Sequence, residues 1–200
     1  MNQQVPKELQ TFKVAAVVVT YNRKDLLRKC LQALLRQTRP PDEIIVIDNA
    51  STDGTDQMVS KEFPQVTYVR LPENIGGAGG FHEGMKIAYE KGYDWIWVMD
   101  DDVRAKEKGL ETMLRYGKVA ECIHPSKEYY DGAEFHWDYY FSTRTGRSFT
   151  VGERPTITRD GLTFKEVNYG CFEGMLIHRR LVKKIGLPDP RFFICGDDTV

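Results

Sequence analysis

Long apolar runs are missing from this 200-residue chain: none approaches the ~18 residues that a membrane span needs. The opening MNQQVPKELQ is polar, lacks the apolar centre of a signal peptide, and reads as a short loose tail over residues 1–12. An excess of one charge is missing too. The 28 basic and 29 acidic residues leave a net charge of −1, so there is no electrostatic footprint for nucleic acid. Cys30, Cys122, Cys171 and Cys195 never form a C-x-x-C pair, which argues against a zinc knuckle or a dithiol redox motif; free thiols in a reducing cytoplasm are expected. No G-K-[ST] follows a glycine loop, so there is no P-loop, and no G-x-G-x-x-G follows the first apolar run, which argues against a dinucleotide fold. No repeat or low-complexity segment interrupts the chain, and its length suits one domain with a real core.

What is present alternates. VAAVVVT (14–20) is a continuous β-branched run, as expected of a strand buried on both faces. Leu26, Leu27, Cys30, Leu31, Leu34 and Leu35 then recur at helical spacing, with Asn22 as a plausible N-cap and TRPPD as the stop. EIIVID (43–48) predicts a second strand, 55–63 a helix, VTYVRL a third strand, PENIGGAGG a glycine loop, FHEGMKIAYEKG a third helix and DWIWVM a fourth strand. Alternating strands and helices over the first ~105 residues predict a mostly parallel α/β sheet covered on both faces. Ligands of such sheets bind beyond the carboxyl ends of the strands. Those ends carry Thr20–Arg23, Asp48–Asp53, Asn74–Gly80 and Asp100–Asp102. The second half is mixed: residues 123–165 predict short strands or a loop layer, and EVNYGCFEGMLIHRRLVKKIG a strand followed by a short helix.

The strand WIWVM runs into three aspartates, Asp100, Asp101 and Asp102. Two carboxylates ~4 Å apart repel by ~4 kcal/mol at an effective dielectric of 20, so a raised pKa, a basic neighbour or a bound cation must offset them. If the strand continues, Asp100 and Asp102 share one face and Asp101 faces away, toward a ribose or a structural partner. Two carboxylates without His or Cys suit Mg²⁺ or Mn²⁺, and Mg²⁺ held by so few carboxylates takes phosphate oxygens as further ligands. A solvated acidic turn, or acids at a helix start, is the plainer alternative. The glycines of NIGGAGGF would let backbone N–H groups approach a ligand at a helix start. Asp48 could accept hydrogen bonds from a base or ribose, or close an Asx turn, while Asp53 is expected to shape the turn STDGT. Asp197 and Asp198 form a late acidic pair, suited to deprotonating a hydroxyl or to capping a helix. The scattered His82, His124, His136 and His178 read as structural or exposed.

Taken together, VVVTYNR, IIVIDNASTDGT, NIGGAGGF, WIWVMDDDV and FFICGDDTV resemble, in order and spacing, the family 2 glycosyltransferases with the GT-A nucleotide-diphospho-sugar fold. The resemblance covers about residues 13–200. It implies a nucleotide-sugar-binding half over 13–105 and an acceptor-side half of the same catalytic domain over 106–200. Thr20, Tyr21, Asn22 and Arg23 would lie along the base, and Asp48 would bind the uracil or ribose. Asn74, Gly76, Gly77, Gly79, Gly80, Asp100 and Asp101 would complete the donor site. Asp100 and Asp102 match the D-x-D positions that hold Mn²⁺ or Mg²⁺. Asp197 and Asp198 match the catalytic pair, with Asp198 as the inverting base, and Phe172, Glu173 and Gly174 the acceptor side.

The particular form NIGGAGGF…DDDV is most similar to bacterial galactofuranosyltransferases, with rhamnosyltransferases of polysaccharide assembly as the alternative. The implied donor is a UDP- or dTDP-linked sugar and the acceptor a saccharide or lipid-linked saccharide. A lipid-linked acceptor would draw a cytoplasmic enzyme to the inner face of the plasma membrane. Two departures stand out: neither the further acid that the family often places after Val200 nor a downstream histidine is present, so a catalytic unit that continues past Val200 is expected. Readings of other classes are a sugar-phosphate nucleotidyltransferase, which would need a basic glycine loop where TYNRKD stands, and a nucleotide-sugar or cation binding module without turnover.

Overall fold

A computed structural model describes residues 7–135 and 139–193. After a short α1 (Lys7–Gln10), the chain enters its centre, β1 (Val14–Thr20), buried at every position. It pairs in parallel with β2 (Glu43–Asp48) on one side and β4 (Trp95–Asp100) on the other, and β3 (Thr67–Arg70) extends β2 in parallel. The connections are helical: α2 (Lys24–Leu35), α3 (Thr55–Glu62) and α4 (Gly76–Glu90). After α5 (Gly109–Tyr116), β5 (Cys122–Ile123) becomes an edge strand. The strand β12 (Met175–His178), followed by α6 (Arg179–Ile185), inserts antiparallel between β4 and β5. The sheet order is β3-β2-β1-β4-β12-β5. Between β5 and β12 lie three small hairpins: β6 (Lys127–Glu128) with β7 (Glu134–Phe135), β8 (Tyr139–Ser142) with β9 (Arg147–Thr150), and β10 (Ile157–Arg159) with β11 (Leu162–Phe164).

The period of two along β1 divides the core into two layers. Val14, Ala16 and Val18 face Leu27, Leu31, Leu34, Met58, Leu110 and Leu114 from α2, α3 and α5. Ala15, Val17 and Val19 face Phe81, Met85 and Ala88 of α4. The mostly parallel, doubly covered sheet is thus as the alternation predicts, and the mixed second half is as its weak periodicity predicts.

Three local expectations are corrected. The helix after β1 begins at Lys24, and its Arg23 cap makes no side-chain cap bond. Asn22 instead sits at φ 53, a left-handed conformation that asparagine tolerates, and spends its side chain on a neighbouring loop. The loose tail ends earlier than residue 12, because Leu9 is buried and Arg39 donates to the carbonyls of Leu9 and Phe12. The glycine segment is not a loop: α4 begins at Gly76 and contains Gly77, Gly79, Gly80 and Gly84. A Cβ on Gly80 would lie 2.6 Å from Val19 Cγ1, and one on Gly84 2.3 Å from Val17 Cγ1. These glycines let the helix rest directly on the sheet.

Candidate functional site

The parallel strands end at one edge, where their loops interlock. Past β1, the Asn22 amide donates to Ser51 Oγ at 2.8 Å, and Asn22 Oδ1 accepts from the Thr52 amide at 2.7 Å. Asp53 ties the same two loops, accepting from the Lys24 amide at 2.9 Å and from Thr55 Oγ1 at 2.6 Å. It shapes the turn as expected. Burial pushes its carboxyl up, but the hydrogen bonds from Thr55 and Lys24 outweigh that and leave it below its ordinary range. Asp48, at the end of β2, is fully buried. Its Oδ1 accepts from the Ser51 amide at 2.9 Å, closing an Asx turn, and its Oδ2 accepts from the Tyr68 hydroxyl. Burial first, and then the Asp48 bond, push the Tyr68 hydroxyl well above the usual tyrosine range.

Asn49 was not singled out by the sequence, yet it binds this edge together. Its amide donates to the Thr20 carbonyl at 2.9 Å, its Nδ2 to the Gly76 carbonyl at 3.1 Å, and its Oδ1 accepts from the Ile75 amide at 3.3 Å. A polar residue one step beyond a fully buried strand was the available signal. At the head of α4 the Gly76 amide donates to Asn74 Oδ1 at 2.9 Å and the Gly77 amide to the Phe193 carbonyl at 2.9 Å. The amides at 75, 76 and 77 are therefore directed at protein acceptors, which corrects the expectation that they reach outward to a ligand. Gly76 has φ +78, and a Cβ there would lie 2.1 Å from the Phe193 carbonyl oxygen, so this crossing requires glycine.

At the acidic triplet, β4 ends at Asp100 and the next two residues turn. The alternation expected from a continuing strand therefore stops there. Asp101 points inward and is 2% exposed. It accepts from Thr20 Oγ1 at 2.6 Å and from an Arg23 guanidinium nitrogen at 3.3 Å. The same nitrogen lies 3.2 Å from Asp102 Oδ2. Burial pushes the Asp101 carboxyl up, while the Thr20 bond and the Arg23 charge pull against it. The Asp102 carbonyl accepts from the Tyr130 hydroxyl, whose ring lies 4.2 Å beneath the Arg104 guanidinium. Among the described residues no three His, Cys, Asp or Glu side chains gather to hold a metal. Asp100 and Asp102 still offer the hard oxygens that Mg²⁺ or Mn²⁺ prefers, and the positive charge beside the turn is supplied by the Arg23 guanidinium, 3.3 Å from Asp101 and 3.2 Å from Asp102. The donor chemistry fits such an ion.

The acceptor-side candidates come to the same edge because β12 starts at Met175 opposite Val98, near the end of β4. The Gly174 amide donates to the Val98 carbonyl at 3.0 Å, and the Gly174 carbonyl accepts from Trp97 Nε1 at 3.0 Å. Phe172 packs on Phe81 with ring centroids 4.7 Å apart. Gly174 therefore also extends the pairing with β4, and Phe172 packs into the core beside α4. Glu173, between them, is partly exposed, and Tyr21 beyond β1 is exposed. Asp197 and Asp198 lie outside the described residues, as do Cys195 and His136.

Residues 15–186 match the sequence model described as glycosyl transferase family 2. The chain belongs to that family. This family 2 chain is 34% identical over 192 residues to the galactofuranosyltransferase GlfT1 of Mycobacterium tuberculosis (strain H37Rv), covering 94% of the chain and 63% of the relative. The corresponding Mycolicibacterium smegmatis protein is 34% identical over 193 residues, covering 93% and 63%. The chain thus spans less than two thirds of the length of these mycobacterial relatives. Among solved structures, residues 1–349 of Staphylococcus aureus TarS align with a TM-score of 0.67 at 18% identity, covering 93% of this chain and 53% of that one. The mannosyltransferase PcManGT of Pyrobaculum calidifontis, in complex with GDP-Man and Mn²⁺, aligns with a TM-score of 0.59 at 19% identity, covering 94% and 50%. These likenesses show the GT-A glycosyltransferase fold.

Proposed function

We propose that the chain is the core of a metal-dependent, inverting glycosyltransferase that moves galactofuranose from a nucleoside-diphosphate donor to a hydroxyl of a saccharide or lipid-linked saccharide in cell-surface polysaccharide synthesis. The observation that carries the donor assignment is the 34% identity to GlfT1 across 94% of the chain. UDP is the nucleotide we assign, by analogy with TarS, whose structure has been described in complex with UDP.

In this reading Asp100 and Asp102 would hold Mn²⁺ or Mg²⁺, and such an ion would supply positive charge against that growing on the leaving diphosphate. The chain's own residues do the rest. Thr20 and Arg23 fix Asp101, and through it the turn that aims Asp102. Thr20–Arg23 receive the nucleotide, the buried Asp48 holds the loop beneath it through Ser51 and Tyr68, and the edge at Phe172–Gly174 receives the acceptor. Asp198 takes the proton of the acceptor hydroxyl while that oxygen attacks the anomeric carbon, and the bond from that carbon to the diphosphate breaks on the opposite face. Inversion follows from the single displacement. Among the described residues no helix is long and apolar enough to cross a membrane, and in this reading a lipid-linked acceptor brings the protein to the inner face of the plasma membrane.

A screen of donors tests the assignment. Wild-type full-length protein with Mn²⁺ should release UDP from UDP-galactofuranose in the presence of a galactan or lipid-linked acceptor. Turnover of dTDP-rhamnose in its place would reassign the donor. Asp198→Asn should keep donor affinity and lose transfer; transfer at near wild-type rate would remove the base assignment.

A further inference from the structure

Arg23 is shared unequally between two carboxylates. One guanidinium nitrogen lies 3.3 Å from Asp101 and 3.2 Å from Asp102, yet the surroundings differ sharply. The Asp101 side chain is 3% exposed and has Thr20 as a second donor. The Asp102 side chain is 45% exposed and that of Arg23 is 53% exposed. Parting Arg23 from Asp101 would leave a buried carboxylate without its cation, which is strongly unfavourable. Parting it from Asp102 exposes two groups already half in water, at small cost. The guanidinium therefore has one firm contact and one exchangeable contact.

The backbone favours such an exchange. The Arg23 carbonyl accepts from the Leu26 and Leu27 amides, and Asn22 is pinned to Ser51 and Thr52, so the Arg23 Cα is fixed at the start of α2. The Tyr130 hydroxyl donates to the Asp102 carbonyl, a hold on the turn that does not depend on the arginine. The Arg23 side chain, 53% exposed, can reorient about that fixed Cα.

We propose that Arg23 is a resident counter-cation that changes partners when donor binds. A divalent cation takes Asp102, and Arg23, still anchored by Asp101, turns its released N–H donors onto the donor's diphosphate. The inference rests on the assignment of Asp102 as a metal-holding residue. A guanidinium carries five N–H donors and pairs strongly with phosphate, so one can stay on Asp101 while others serve the ligand.

The exchange has a signature that a merely structural arginine lacks: Arg23→Met should move two affinities in opposite directions. Mn²⁺ binding to the full chain without nucleotide, followed by the electron paramagnetic resonance of free Mn²⁺, should tighten about threefold or more, because a competitor at Asp102 is gone. UDP affinity at saturating Mn²⁺ should weaken at least roughly tenfold, because a charge-assisted phosphate contact is lost. Arg23→Lys, which keeps the charge but not the fork, should bind Mn²⁺ near the wild-type level and UDP between the two. It keeps the test open if the Met variant folds poorly. If wild type binds Mn²⁺ but Arg23→Met binds it equally or more weakly, the exchange is wrong while the metal assignment stands. Unchanged UDP affinity in Arg23→Met would overturn the phosphate contact. If neither protein binds Mn²⁺, the metal assignment fails and the exchange falls with it.

Discussion

Strand β1 is built of aliphatic β-branched and alanine residues, the hairpin β8–β9 of aromatic residues mixed with Ser, Thr and Arg, and they live in opposite surroundings. Every residue of β1 is buried between two parallel neighbours and two layers of helices. The residues of β8 and β9 are partly or fully exposed; the two strands pair with each other, and Tyr139 adds a bridge to Tyr169. The hairpin layer is held to the parallel half by point contacts, such as Tyr130 on the Asp102 carbonyl, Lys106 with Glu128 at 2.8 Å and the Tyr116 hydroxyl on the Thr163 carbonyl at 3.2 Å. The contrast suggests a division of labour. The close-packed half fixes the loops at the strand ends, and the lightly tethered half can vary its outer surface without disturbing them.

Glycines offer the sharpest way to break that comparison. Gly84→Val should cost about 3 kcal/mol or more, because its Cβ would meet Val17 Cγ1 at 2.3 Å with no room to relax. Gly132→Ala, in the β6–β7 turn, has nothing within 4 Å and suffers only the strain of φ +86, about 1 kcal/mol. Urea unfolding of both measures the difference, and equal losses would remove the distinction between the two halves. Tyr68→Phe should fall between them, at about 1–3 kcal/mol, because it strips a donor from the fully buried Asp48. A cost near zero in the same urea series would mean that Asp48 finds water instead.

The smallest effect is in pH. The Asp53 carboxyl lies below its ordinary range in the folded chain, so it stabilises the fold above the unfolded carboxylate range near ~3.9. That contribution is lost as pH falls through its lower folded value. Asp53→Asn should therefore flatten the acid limb of the stability profile below about pH 4 and lower stability at pH 7. An unchanged acid limb in thermal melts would place the tie between the two loops elsewhere.

Much of the parallel half was legible because its signals are local. The β-branched run of β1 and the leucine spacing of α2 depend on neighbours within a few residues, and so did the carboxyl-edge positions that follow from the alternation. The glycine segment was misread because the deciding contacts are remote: Val19 lies 61 residues before Gly80 and Val17 lies 67 residues before Gly84. A helix that must touch a sheet and a loop that must cradle a ligand use the same residue. Asp101 was placed as facing away from its neighbours, and it does turn, but the reason is the end of β4 at Asp100 and a partner 78 residues earlier, Arg23. The hairpins carry too few residues per strand for periodicity to show, so only their general character was readable. Asn49, a hub of three bonds, had only its position after a buried strand to mark it.

The central claim is a nucleotide-sugar site whose affinity depends on a cation held at the end of β4. Calorimetric titration of UDP into wild type and Asp102→Ala, each with and without Mn²⁺, tests it most directly. The account predicts that Mn²⁺ strengthens UDP binding by wild type and has no effect on Asp102→Ala. Equal strengthening by Mn²⁺ in both proteins would contradict it.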